Sequence, residues 1–214
     1  MSKPRVVVAT PLYGHPSPGF LISFSKMLLE LGAQGLGAGW VFTTIPYIDL
    51  ARIDLVRQAL EHDPTHIFWV DHDVTVPADA VARLLAHDLP VVGGMYHAKD
   101  RPFGPVAFKL APFEMMQDPP PTEALHLVGG LGMGATLVKA HVYRLMSMHY
   151  EDERWYEVRA APAKGEDIHF AQRLEEMAIP VFLDPSVRCG HIRDHEVTVE
   201  DWRAAATRFV PMGG

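Results

Sequence analysis

The stretch His66-Ile67-Phe68-Trp69-Val70-Asp71-His72-Asp73-Val74-Thr75-Val76-Pro77 decides the fold. Residues 66–70 read as a continuously apolar strand, the pattern of a strand buried on both faces. Two acids separated by one residue follow it, and Pro77 then opens a helix carrying Val81, Leu84 and Leu85. A buried strand that ends in charge and passes into a helix is the repeating unit of a parallel sheet with helical crossovers. Ligands on such sheets lie at the carboxyl ends of the strands, which is where Asp71 and Asp73 fall.

The same alternation extends outward on both sides. Upstream, residues 5–10 (RVVVAT) form a β-branched run ended by Pro11 and Gly14. Ser17 then caps a helix, with Pro18 in its first turn, Leu21, Phe24, Leu28 and Leu31 at helical spacing, and Gly32 at its end. A second strand is predicted over 40–45, and a second helix over 50–60 with Ile53, Val56 and Leu60 on one face. Downstream, a fourth strand opens at 90–92. Further strands are predicted at 125–128, 135–138 and 181–183, and a helix over 166–177. Asp118-Pro119-Pro120-Pro121 reads as a loop, and Thr198 with Asp201 resembles the capping box of a short last helix. No repeat and no low-complexity tract is present.

Composition narrows the function classes. The chain has 214 residues, 48% of them apolar and 21% charged, which is ordinary for a globular domain that needs no structural metal or disulfide for its core. Its one cysteine, Cys189, has no internal partner and suits a reducing compartment. No apolar run approaches the roughly 20 residues of a membrane span, and the first residues lack the apolar stretch of a signal peptide. A cytoplasmic location is expected, the host cytoplasm for a viral chain. The formal net charge of −7 removes the simple electrostatic argument for a nucleic-acid partner.

In an extended segment, side chains two residues apart face the same way, so Asp71 and Asp73 are expected to project together. Two adjacent carboxylates repel unless a cation lies near them, and a hard divalent ion carrying phosphates is the economical partner.

At this point the chain resembles the GT-A glycosyltransferases of small bacterial and phage type. Residues 67–85 look like that family's metal-binding strand and following helix, and residues 48–52 like the helix start whose arginine lies near the base. Residues 90–96 resemble the strand and turn that follow, and Gly129 to Gly134 the small-residue segment toward the acceptor. Gly165-Glu166-Asp167 resembles the start of the catalytic helix, and Cys189-Gly190-His191 the late histidine of the metal site. The ordered set covers residues 5–195.

The resemblance implies an α/β GT-A fold: one domain over 1–214, with a central mainly parallel mixed sheet flanked by helices. Residues 1–95 would form the nucleotide-sugar half, 96–195 the acceptor and catalytic half, and 196–214 a C-terminal helix and tail. It implies a glycosyltransferase moving a sugar from a nucleotide-sugar, UDP-sugar first and GDP-mannose next, to an acceptor hydroxyl. Asp73 and His191 would bind Mn²⁺ or Mg²⁺, and Asp71 would reach the metal through water or the ribose. An imidazole ligand favours Mn²⁺.

For several residues a structural reading stands beside the functional one. Thr10 and Pro11 meet the nucleoside or simply end a strand. Arg52 contacts the base or lies on a helix surface. Gly132 permits close approach of sugar or acceptor; a dinucleotide fingerprint is a poorer reading, since a strand and no helix follows. Asp167, with Glu166 as alternate, is the general base of an inverting transfer, or both acids satisfy the helix terminus. Tyr96, Lys99, Arg101 and Trp155 are loop candidates for the acceptor, and His195 is a further candidate ligand. Two other classes remain: a catalytically silent nucleotide- or sugar-binding domain, and a metal-dependent nucleotidyltransferase. The acceptor (metabolite, glycan, protein or modified nucleic-acid base) is left open, and so few residues remain outside the core that loops, the tail or a homodimer partner must select it.

Overall fold

The computed structural model describes residues 3–160, 163–193 and 196–206. The central sheet contains β1 (Val6–Pro11), β2 (Gly37–Thr43), β3 (His66–Val70), β4 (Val91–Met95), β5 (His126–Val128), β6 (Ala135–Lys139) and β7 (Val181–Arg188). Their order across the sheet is β2-β1-β3-β6-β4-β7-β5. β2, β1, β3, β4 and β7 run in one direction, and β6 and β5 run against it.

Helices cover both faces because the inner strands β1 and β3 carry buried side chains on both sides. Along β1, Val6 and Val8 join one core, while Val7 and Ala9 join the other. Along β3, Phe68 and Val70 lie on the first face and Ile67 and Trp69 on the second. The first face is covered by α1 (Pro18–Ala33) through Phe20, Phe24 and Met27, and by α3 (Ala80–Leu85) through Val81 and Leu84. The second is covered by α2 (Ile48–Glu61), α4 (Ala140–Tyr150) and α5 (Glu166–Glu176), which contribute Leu55, Tyr143 and Phe170. A last helix, α6, spans Val199–Ala206.

Local chemistry explains most boundaries and several departures. The Ser17 hydroxyl accepts from the Phe20 amide at 3.1 Å, the expected cap of α1. Gly32 lies inside α1; the left-handed residue after the helix is Gly35 at φ +61. Phe20 takes the core position expected of Leu21, which is 49% exposed. Helix α4 follows β6 without a break and has no side-chain cap, so no punctuation marks its start.

Candidate functional site

The strand parity that sorts the cores also sets the site. Residues 67, 69 and 71 share a face, so Asp71 emerges on the side of α2, where Arg52 lies with a side chain only 3% exposed. Its guanidinium grips Asp71 bidentately, Nη1 to Oδ1 at 3.0 Å and Nη2 to Oδ2 at 3.1 Å. Its Nε donates to Glu166 Oε1 at 2.9 Å, and the guanidinium sits 5.3 Å from the Trp69 ring. The sequence readings of Arg52 as a base contact or a surface residue are both corrected: it is a buried clamp between the end of β3 and the start of α5. A buried guanidinium is tolerated because its donors meet carboxylates.

The expectation that Asp71 and Asp73 project together fails. β3 ends at Val70, and the Val74 amide donates to the Asp71 carbonyl at 2.9 Å, closing a turn instead of an extended segment. Asp71 therefore faces Arg52, whereas Asp73 faces Lys99 and His191. His72 points away and lies 3.2 Å from the Pro11 carbonyl through Nδ1.

A small sheet brings His191 to this turn. Strand Gly190–Ile192 pairs antiparallel with Val74–Thr75, setting His191 opposite Val74. The His191 Nδ1–H donates to the His97 carbonyl at 2.8 Å, which leaves Nε2 as the nitrogen that faces Asp73. That nitrogen lies 3.8 Å from Asp73 Oδ1. The separation is too long for a hydrogen bond but within the span of two metal–ligand bonds of about 2.1 Å. Tyr96 supports the imidazole edge-on, with ring centroids 5.3 Å apart.

Asp73 Oδ2 accepts from the Lys99 ammonium at 2.5 Å. An Arg193–Asp100 ion pair at 2.8 Å ties the Lys99 loop to the end of the small strand. Burial pushes the Asp73 carboxyl up, but His191 and Lys99 outweigh it and hold the group well below the ordinary carboxylate range. Among the described residues no three His, Cys, Asp or Glu side chains converge as a metal group. The expected trio of Asp71, Asp73 and His191 is thus not assembled, because Arg52 takes both Asp71 oxygens. Asp73 and His191 remain as a pair with ligand chemistry, the imidazole held with Nε2 toward the carboxylate. They fit a divalent ion once Lys99 leaves, the remaining positions falling to water and ligand oxygen.

The start of α5 separates its two acids. Glu166 is tied to Arg52. Asp167 is pushed up to about 6, first by burial and then by the neighbouring Glu166 charge. Its Oδ1 accepts from the Ile168 amide at 2.8 Å, so it also satisfies the helix terminus, as the structural reading expected.

The other sequence candidates disperse. Thr10 is fully buried and its hydroxyl accepts from the Trp40 indole at 3.1 Å, and Pro11 is buried beside it as the end of β1. Gly132 is needed against Tyr96: a Cβ there would overlap the Tyr96 hydroxyl, so the close approach is internal and not to a ligand. Trp155 is corrected to a core residue, 1% exposed, its indole donating to the Tyr143 carbonyl at 3.0 Å. Tyr96 is buried behind His191 and accepts from the Gly134 amide. Lys99 is on Asp73, and Arg101 lies over Phe103 at 5.5 Å. His195 lies outside the described residues. Tyr13, between Pro11 and Gly14, was missed. It is 45% exposed and packs edge-on against His72. Burial, then the Asp73 and Asp71 charges, raise its hydroxyl above the ordinary tyrosine value. An aromatic residue in the loop that ends the first strand was its signal in the sequence.

The chain has the GT-A fold: its sheet order and its two helical layers match those of solved structures. Among solved structures, the crystal structure of A197 from STIV superposes with TM-score 0.63 at 18% identity, over 92% of this chain and 91% of that one. The crystal structure of GalNAc-T7 with UDP, GalNAc and Mn²⁺ superposes with TM-score 0.59 at 9% identity, over 98% of this chain and 49% of that one. This chain thus spans about half of the GalNAc-T7 chain. No family model and no curated protein matches the chain in sequence. No helix among the described residues is long and apolar enough to cross a membrane.

Proposed function

We propose that the chain is a divalent-metal-assisted glycosyltransferase, taking a UDP-sugar in preference to GDP-mannose, with Asp167 as the base of an inverting transfer. One observation carries the reading: on a GT-A fold, His191 is oriented through Nδ1 and turns Nε2 toward Asp73 at the strand end where a nucleotide diphosphate would lie. The likeness to a protein crystallised with UDP and Mn²⁺ supports the donor and metal classes.

Asp73 and His191 would hold the metal, which supplies charge neutralisation for the departing diphosphate. Lys99, released from Asp73, pairs with a phosphate oxygen. Tyr13 offers a ring face for the base. The Arg52 clamp fixes Asp71 at the ribose side and sets the start of α5. The acceptor hydroxyl oxygen forms its bond to the anomeric carbon as the bond from that carbon to the diphosphate oxygen breaks. The electron pair leaves with the nucleoside diphosphate, and the hydroxyl proton passes to Asp167. A base raised to about 6 is ionised at neutral pH and still a useful proton acceptor.

The Lys99–Asp73 contact favours a second reading in which the ammonium is the permanent cation and no metal is needed. A donor panel read by nucleoside diphosphate release, with Mn²⁺ and with chelator, separates the two. Metal-dependent release that is lost in Asp73→Ala but retained in Arg57→Ala, a distant surface variant, is expected. Release that survives chelation selects the Lys99 reading, and no release from any donor refutes both.

A further inference from the structure

A cavity lies over the β4–β7 half of the central sheet. Met95 at the end of β4 and Arg188 at the end of β7 are partners in the sheet and line its floor. Residues 119–123 form one wall and α6 the other, enclosing about 430 Å³. That volume falls in the range of about 300–1,000 Å³ common to small-molecule sites. A smaller space of about 190 Å³ shares Met95, Arg188 and Val199 and is bounded by His97 and Gly190. The His97 carbonyl orients His191 and Gly190 precedes it, so this space backs onto the Asp73–His191 pair.

The lining is chemically specific. The Arg188 residue is exposed, and its side chain makes no hydrogen bond or ion pair among the described residues. A chain of net charge −7 repels anions in general, so a guanidinium without a carboxylate partner in a cleft marks a place where one is admitted. Its fork suits a carboxylate or phosphate bidentately. Trp202 of α6 donates its indole N–H to the Gln117 carbonyl at 3.3 Å, which fixes a flat ring in the wall. Such a ring receives the CH face of a sugar. Glu123, which accepts from the Thr122 hydroxyl at 3.3 Å, supplies acceptors for hydroxyl groups, and Arg203 adds a second guanidinium to the lining.

We propose that this cavity binds an anionic sugar, a ring bearing a carboxylate or a phosphate, with Arg188 on the anion and Trp202 on the ring. Its role as the acceptor position rests on the transferase reading above; the binding does not.

Calorimetric titration of the full chain with glucose, glucuronate and glucose 1-phosphate tests this, with UDP plus Mn²⁺ as a separate probe. Glucuronate or glucose 1-phosphate binds at least about ten-fold more tightly than glucose, and the tighter of the two identifies the anion as carboxylate or phosphate. Arg188→Met abolishes that advantage, and Arg188→Lys restores part of it. UDP–Mn²⁺ binding is the same in all three proteins. Equal affinity for glucose and both anions, anion binding unchanged in Arg188→Met, or no binding at millimolar concentration overturns the proposal. Wild-type protein that binds an anionic sugar but not UDP with Mn²⁺ leaves the anionic-sugar site standing and overturns the transferase reading.

Discussion

Replacing Arg52 with methionine isolates the clamp that joins β3, α2 and α5. The substitution keeps an unbranched apolar stem of similar length in the helix and removes three charge-assisted hydrogen bonds, two to Asp71 and one to Glu166. It leaves two carboxylates that are only 22% and 12% exposed without a counter-ion. Breaking a buried ion pair costs about 3–5 kcal/mol, chiefly through the charge left behind. Both carboxylates keep some water, so the lower end, about 3 kcal/mol, is expected. At about 2–4 °C per kcal/mol for a chain of this size, the melting temperature falls by about 6–12 °C. Circular dichroism melts and urea titration at neutral pH measure the loss. The same mechanism requires that adding Asp71→Asn and Glu166→Gln to Arg52→Met recover at least half of it, because no uncompensated charge then remains. A loss under about 1 kcal/mol, or no recovery in the triple variant, would refute the reasoning and reduce Arg52 to a packing residue.

Asp167→Asn should lower transfer about 10²–10⁴-fold with donor affinity unchanged, while Glu166→Gln costs far less; comparable losses would move the base to Glu166. Wild-type activity should rise with pH through about 6 as Asp167 ionises, and a flat profile from pH 5 to 8 counts against the assignment. The raised carboxyl also predicts a stability effect of opposite sense. Its contribution is present below the ordinary carboxylate value of 3.8 and is lost as pH climbs to about 6. Asp167→Asn should therefore be the more stable protein at pH 7, by no more than about 3 kcal/mol in urea titration. Lys99→Met removes the ammonium from Asp73, so donor-free Mn²⁺ binding, read by electron paramagnetic resonance, should tighten about ten-fold; unchanged affinity means that Lys99 does not occupy the cation position. Gly132→Ala forces a Cβ onto the Tyr96 hydroxyl and to 2.6 Å from Val106 Cγ1, and should lower the unfolding free energy by about 1–3 kcal/mol, read as a fall in the urea midpoint. An unshifted midpoint would show that the segment relaxes freely.

The architecture was legible wherever burial writes itself into local pattern. The strand at 66–70 has the observed boundaries, because a strand buried on both faces must be apolar throughout. α1 begins at its Ser17-Pro18 signal for a chemical reason, the side-chain acceptor for the Phe20 amide. α4 carries no such mark: Lys139 precedes it with no capping side chain, and its buried face is read only once β6 delivers it to the second core. The exchange of Leu21 for Phe20 has the same origin, since both lie close to the helical period and only the packed sheet selects between them.

The acidic turn, the late histidine and the helix-opening acids could be picked out as residues, but their assignments to one another could not. Sequence alone determined which chemistry is present: carboxylates at the end of a buried strand, an imidazole near a small strand, two acids opening a helix, a basic residue in a helix. Tertiary structure decided which charges meet. Arg52 and Glu166 are 114 residues apart, and Lys99 and Asp73 are 26 apart. Local periodicity reports a residue's burial and face but carries no information about which distant charge shares that face. Turn closure at Asp71 and the pairing of Gly190–Ile192 with Val74–Thr75 then split the two aspartates, one to a buried arginine and one to the His191 and Lys99 pair. That split, set by backbone pairing between segments distant in the sequence, separates a carboxylate gripped by a buried arginine from one that faces Lys99 and His191.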